Sequence, residues 1–363
     1  MHGRLVTDAA PRPAPELASI HCRGVLEAVR AEIGLEPHAL RTLRNAIYKH
    51  GVPPRDALTL LPPRAATSIL ERVALHTLDE VQRRDSSSDG ATKLGLRTRN
   101  GLVLESVVLR IRSGRSSVCV SAQVGCAARC EFCATGQMAI VRNLAAEEIV
   151  EQVAVAGQML RAEGRRLRNV VFMGMGEPMH NRAAVEEAVA LLIDPAWFAL
   201  SPQHVLVSTV GIADELRRFV ARFPHINLAL SLHAARPEVR ARLMPHLRQP
   251  SLRDLRVALR EIQEVRRRPM MIEYLLLDGI NDTDEDRDAL IEYCRGLDVH
   301  LNLIPYNPIA NAPWLSPSPP ARREAFAAAL KAAGFTVTTR FSLGTDIAAA
   351  CGQLVRPGMS ARR

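Results

Sequence analysis

Three closely spaced cysteines offer the most specific chemistry in this chain. The segment GCAARCEFC places Cys126, Cys130 and Cys133 in a Cys-x3-Cys-x2-Cys array. Three thiolates in one short loop can wrap one face of a cubane iron–sulfur cluster. A four-iron cluster ordinarily takes four cysteine ligands, so three leave one iron open to chelate a substrate. Zinc is the alternative, and it would need a fourth ligand such as Cys119 or a histidine. Structural zinc sites usually come as paired two-residue spacings, which weights the reading towards the cluster. The chain holds seven cysteines, the others being Cys22, Cys119, Cys294 and Cys351. An odd number in a 363-residue chain argues against a disulfide scaffold.

The array must be held by something, and the flanking sequence predicts what. A strand at 102–111 is expected to pair as a hairpin with the next. Six short apolar runs then read as strands, at 117–124, 169–176, 204–211, 226–233, 270–277 and 299–306, with a possible seventh at 335–341. Helical patterns separate most of them. Continuous apolar runs alternating with helices mean parallel strands with crossover helices, here an α/β partial (β/α)6 barrel. In such folds chemistry gathers where strands end. The unusual residues fall there: the Cys cluster, then Gly176-Glu177, Ser208, Ser231-Leu232-His233 and Asn307. Taken singly, Gly176 is a tight turn and His233 a satisfied core histidine. Residues 15–84 look helical and amphipathic, and DSSSDG at 85–90 looks like a linker. The expected division is a helical accessory domain at 1–90, the barrel at 91–356 and a basic tail at 357–363.

Composition bounds the function. At 47% hydrophobic the chain is not disordered throughout, and no run of about 18 apolar residues suggests a membrane span. The opening residues lack the apolar stretch of a secretory signal, so a cytoplasmic protein with no membrane partner is expected. The net charge of +9 suits an anionic partner, of which nucleic acid is the commonest large one. Basic stretches at 161–168, 236–242, 264–269 and the tail are candidates for contacting it. Aromatic content of 4% argues against an extended stacking surface.

The segments CVSAQVGCAARCEFCATG, FMGMGEPMHN, LSLHAA, NLIPYNP and DIAAACGQL resemble the RlmN/Cfr family of radical S-adenosylmethionine (SAM) RNA adenosine methyltransferases. The likeness runs from about Gly101 to Leu354. It implies one [4Fe-4S] cluster per chain on Cys126, Cys130 and Cys133, with SAM chelating the open iron. It implies a SAM pocket of Gly176, Glu177, Ser208, Ser231, Leu232, His233 and Asn307. Cys351 would carry a methyl group taken from a first SAM, and a radical made from a second would activate it for addition to an adenine ring carbon. Cys119 would release the product through a transient disulfide with Cys351, and Glu105 would accept a proton. From pattern alone, Glu105 is equally an exposed strand carboxylate. The partners implied are 23S rRNA and tRNA, and a flavodoxin- or ferredoxin-like electron donor to a monomeric enzyme.

The family divides by target atom. MGEP, IEYLLLDGIND and LNLIPYNP resemble the branch that methylates C2. CATG, STVGI, DPAWFALS and RFSLGTDI resemble the branch that methylates C8. LMPHLRQP lacks the Ile-Asn that commonly follows Met-Pro in both. C2 is the expected target. The alternatives are C8, a paralogue acting on another RNA, a radical SAM enzyme with a non-RNA substrate, and a non-enzymatic zinc or iron–sulfur RNA-binding protein. Cys119 and Cys351 weigh against a generic radical SAM enzyme, which needs neither.

Overall fold

The structure is a computed structural model that describes residues 17–111, 113–247 and 251–355. The expected loose start and the basic tail lie outside the described residues.

Ten strands form one sheet in strictly sequential order. They are β1 Leu78–Asp85, β2 Ala91–Thr98, β3 Val103–Arg110, β4 Ser116–Cys119, β5 Leu167–Phe172, β6 Val205–Thr209, β7 Asn227–Ser231, β8 Met270–Leu276, β9 Val299–Pro305 and β10 Thr336–Thr339. The first four pair antiparallel. From β4 to β10 every pair is parallel. β1 and β10 are the two edges, so the barrel is open. Crossover helices follow the strands: α5 Ala146–Ala162, α6 Arg182–Ile193, α7 Ala213–Arg222, α8 Pro237–Leu243, α9 Leu252–Arg266, α10 Asp284–Cys294 and α11 Pro320–Ala332. All six expected strand runs are found, and so is the seventh. Their apolar side chains, among them Val118, Val170, Val207, Leu228, Leu230, Ile272 and Leu301, are buried in the core. Among the described residues no helix is long and apolar enough to cross a membrane.

The helical reading of residues 78–84 is corrected. They lie in β1, where only Leu78 is buried. An edge strand keeps charged side chains in solvent to block further pairing, so it lacks the alternation that marks inner strands. DSSSDG is likewise no linker. It is the turn between β1 and β2, closed by Ser86 N donating to Ala91 O at 2.8 Å.

Among the described residues before β1 lie four short α-helices, α1 Val25–Ile33, α2 Pro37–Arg44, α3 Pro54–Ala57 and α4 Pro63–Arg72. The Tyr48 ring packs at a tilt against Trp197, with centroids 4.6 Å apart, and against Phe198 at 5.0 Å, fastening this segment to the loop after α6. Gly51 approaches α5 so closely that a Cβ there would stand 2.5 Å from Gly157 O.

A second joint is polar. Glu151 of α5 is buried and accepts from Thr77 N at 2.6 Å and Leu78 N at 3.1 Å, with His76 Nδ1 3.0 Å away. The bond to Glu151 raises the His76 pKa above its ordinary value. Burial alone would raise Glu151, but His76, His21 and Thr77 outweigh it and hold the carboxyl below its ordinary value. The His76 contribution is therefore fully present below about pH 6.5 and lost as pH rises through the raised value. The Glu151 contribution is lost only as pH falls through its depressed value. Thermal unfolding midpoints should decline above about pH 6.5 in the wild type, and His76→Ala should lack that part of the decline.

Candidate active site

The cysteine loop leaves the sheet after β4 and folds tightly. Arg129 has φ 48°. At Gly136 a Cβ would stand 2.5 Å from Cys130 O, so only glycine lets the loop close on itself. Cys126, Cys130 and Cys133 all line one cavity at the strand ends. Burial pushes the Cys126 thiol up to about 12 and raises Cys130 and Cys133, with the neighbouring thiols adding to it. Such thiols become thiolates when a metal takes the place of their protons. Among the described residues no set of three His, Cys, Asp or Glu is arranged around a single metal ion. A cubane binds each thiolate on a separate iron, so its ligands need not converge on one point. The donor set, its burial and the loop's tight closure fit a cluster.

The strand ends complete this cavity. Gly176 has φ 96°, and a Cβ there would meet Gln123 Cβ at 2.5 Å. Glu177 is buried. Its carboxylate accepts from Met179 N at 2.9 Å, Thr209 Oγ1 at 2.5 Å and Val210 N at 2.9 Å. Burial nevertheless raises its pKa. Ser208 and Ser231 lie 3.2 Å apart and share Glu273 Oε2 at 3.2 and 3.4 Å. His233 has φ 58°, and its Nδ1 accepts from Leu275 N at 3.0 Å. Burial, then Arg240, depress its pKa to about 3, so the ring is neutral. It packs edge-on to Phe132 at 4.7 Å, tying this strand end to the cysteine loop.

Two of the expected pocket residues sit differently. Leu232 is fully buried and its side chain does not line the cavity; its N donates to Glu273 O at 3.1 Å. Asn307 does not line it either, and its Nδ2 donates to Cys351 O at 3.1 Å.

Sequence reading missed two residues, Glu273 and Arg340. Glu273, in the middle of apolar β8, is buried in the cavity wall, its Oε1 without a hydrogen-bond partner. Arg340 Nη1 stands 3.6 Å from that oxygen. The signal was a lone carboxylate inside an otherwise apolar strand, since such groups are almost never buried without a task. Arg240 is also buried and donates to Leu232 O and, at 2.7 Å, to Val210 O, binding the ends of β6 and β7 together. Arg266 donates to Ile226 O at 2.5 Å. These two arginines of the basic stretches are spent on the fold.

Cys351 arrives from the C-terminal loop. It lines the cysteine cavity and also a second cavity, whose wall includes Cys119. All seven thiols are free, so the Cys119–Cys351 disulfide is not present in this structure. Sheet register aligns Lys93, Val107, Cys119 and Val171 in one row across β2 to β5. Paired residues share a face, so Cys119 points to the side that the C-terminal loop covers. Burial, then Cys351, push the Cys119 thiol up to about 12, while Arg340 opposes them.

The Cys351 loop is held from several sides. Ala134 N donates to Gly352 O at 2.7 Å and Thr135 Oγ1 to Leu354 O at 2.6 Å. Lys93 Nζ donates to Ala348 O at 3.1 Å. Glu105 is buried rather than exposed, 3.0 Å from Lys93 Nζ, and accepts from Val355 N at 2.8 Å. Burial raises its pKa and Lys93 opposes the rise. It lines neither cavity.

Residues 120–294 match the model of the radical SAM superfamily. A probable RNA methyltransferase of Rhodopirellula baltica is 49% identical over 343 residues, 93% of this chain and 89% of that one. The dual-specificity RNA methyltransferase RlmN 1 of Myxococcus xanthus is 40% identical over 333 residues, 92% of each. A solved radical SAM methyltransferase from Sphaerobacter thermophilus superposes with a TM-score of 0.88 at 36% identity, covering 93% of this chain and 99% of that one.

Proposed function

This chain belongs to the RlmN-type family of radical SAM RNA methyltransferases, and from that premise we propose that it methylates adenine C2 in 23S rRNA and tRNA through a methyl group carried on Cys351. One observation carries the reading: a single thiol, Cys351, borders both the cavity of the three clustered cysteines and the cavity of Cys119. A generic radical SAM enzyme has no use for that arrangement.

The family's [4Fe-4S] cluster and SAM supply, when bound, a methyl group and a carbon radical able to take hydrogen from an alkyl group. Cys126, Cys130 and Cys133 hold the cluster. Gly176, Glu177, Ser208, Ser231 and His233 hold SAM, the neutral His233 ring shaping the wall beside Phe132. Leu232 contributes backbone, and Asn307 acts through the Cys351 carbonyl. Cys351 Sγ takes the methyl group as a thioether. An adenine ring carbon is a poor nucleophile, so direct alkylation there has no easy path; a carbon held on the protein is already positioned for addition. Addition leaves one unpaired electron on the adduct, which returns to the oxidised cluster as the ring gives up a proton. Cys119, having lost its own proton, then attacks Cys351 Sγ as thiolate. The new S–S bond forms as the S–C bond to the base breaks, its electron pair going to carbon, which takes up a proton. An external thiol reductant restores both cysteines. Glu105 braces the loop that carries Cys351 through Val355 N; because it lines neither cavity, the proton the ring gives up reaches it only through a relay. Electrons come from a flavodoxin- or ferredoxin-like donor, and the enzyme acts as a monomer.

The test is mass spectrometry of nucleosides from 23S rRNA and tRNA of cells with and without the protein. Appearance of 2-methyladenosine in both RNAs is expected. 8-Methyladenosine would move the target to the other ring carbon, and unchanged nucleosides in both RNAs would overturn the reading.

A further inference from the structure

The second cavity has a feature that thiol chemistry does not use. Its inner wall includes Cys119, Cys351 and apolar side chains such as Val107 and Leu354. Phe341 lines it too, yet is 87% exposed. Its position is fixed by the sheet. Arg340 N donates to Leu303 O at 2.9 Å, extending the β10 pairing by one residue, and Phe341 is the first residue beyond. Single exposed hydrophobics need no explanation in general. This one stands at the mouth of a cavity in which Cys351 must meet a ring carbon of the substrate.

We propose that Phe341 is the platform on which the target adenine stacks when it leaves its neighbours in the RNA and enters this cavity. The inference rests on the function proposed above and names how that site takes its base. A base buried in RNA cannot present its ring edge to a thiol, so it must be turned out of its stack. An aromatic ring at the cavity mouth replaces the lost stacking. It is tolerant of sequence, because every base has a π face. Phe341 therefore supplies affinity and orientation. The apolar wall accepts the flat ring, and the net charge of +9 favours the polyanion that carries it. In a chain with few aromatic residues, one well-placed ring is enough for a single turned-out base.

The experiment uses the full chain and a short stem–loop RNA with one unpaired adenosine in its loop, alongside the same RNA with 2-aminopurine at that position. Affinity is read by anisotropy, and stacking by quenching of the 2-aminopurine. Phe341→Ala is expected to weaken binding roughly ten-fold and to abolish the quenching. Phe341→Trp should keep both, and Phe341→Leu should lose as much as the alanine variant. Because the side chain is exposed, all three should unfold at the wild-type temperature. Equal affinity and quenching in Phe341→Ala and wild type would overturn the inference, as would full function in Phe341→Leu, which would make the contact merely apolar. Failure of the wild type to bind RNA at all would instead strike the function proposed above, and this inference with it.

Discussion

Replacing Cys119 with alanine should turn the protein into one that cross-links to its own RNA. On the mechanism proposed above, transfer onto the base uses no thiol beyond the cluster ligands and Cys351, whereas release needs a second sulfur to attack it. Without Cys119 the base stays joined to Cys351 through its new methylene carbon. Denaturing electrophoresis should show a stoichiometric RNA-bearing band, and digestion should place the nucleotide on the peptide containing Cys351. Cys351→Ala should give neither adduct nor product. Free methylated RNA at normal yield from the Cys119 variant would contradict the release step. The reason to expect so large an effect lies in the sheet: Cys119 shares a cavity with Cys351 and sits in register beneath the loop that carries it. The other cysteines offer no substitute there, because Cys22 and Cys294 line neither cavity.

Cys130→Ser should abolish methylation and remove the cluster. Anaerobically purified wild type should be brown and carry iron. The variant should be colourless and iron-free, because two thiolates cannot hold what three hold with one iron to spare. Cys294→Ala should retain colour and activity, since that thiol is buried at the end of α10, away from the cavity. A colourless wild type loaded with zinc would remove the cluster reading altogether.

The barrel was legible because its inner strands are buried on both faces and so read as unbroken apolar runs, and the glycines and serines that interrupt them fall at their ends. β1 was not legible, because an edge strand with solvent on one side carries the charge spacing of a helix. The three clustered thiols stood out by type and spacing, whereas Cys119 and Cys351 stood out only through resemblance to the family. Glu273 and Arg340 did not, since each is one charged residue whose meaning comes from a neighbour far away in sequence. Glu105 shows the same limit from the other side. Pattern left it equally an exposed strand carboxylate or, by resemblance, a proton acceptor, but Lys93 and Val355 N, the latter 250 positions along the chain, make it a buried brace. Asn307, expected at the cofactor, donates to the Cys351 carbonyl, a contact that its position just past a strand end could not reveal.

The backbone around Cys351 leaves its sulfur little room to travel. Asn307 on its own carbonyl, Ala134 on the next and Glu105 on Val355 N tie the segment down. To face first one chamber and then the other, the side chain has to pivot about its Cα–Cβ bond, a hop of about 120° between staggered wells. Such hops at exposed residues take picoseconds to nanoseconds. On the mechanism proposed above, Cys351 would work as a turnstile whose rotation is too fast to limit the cycle.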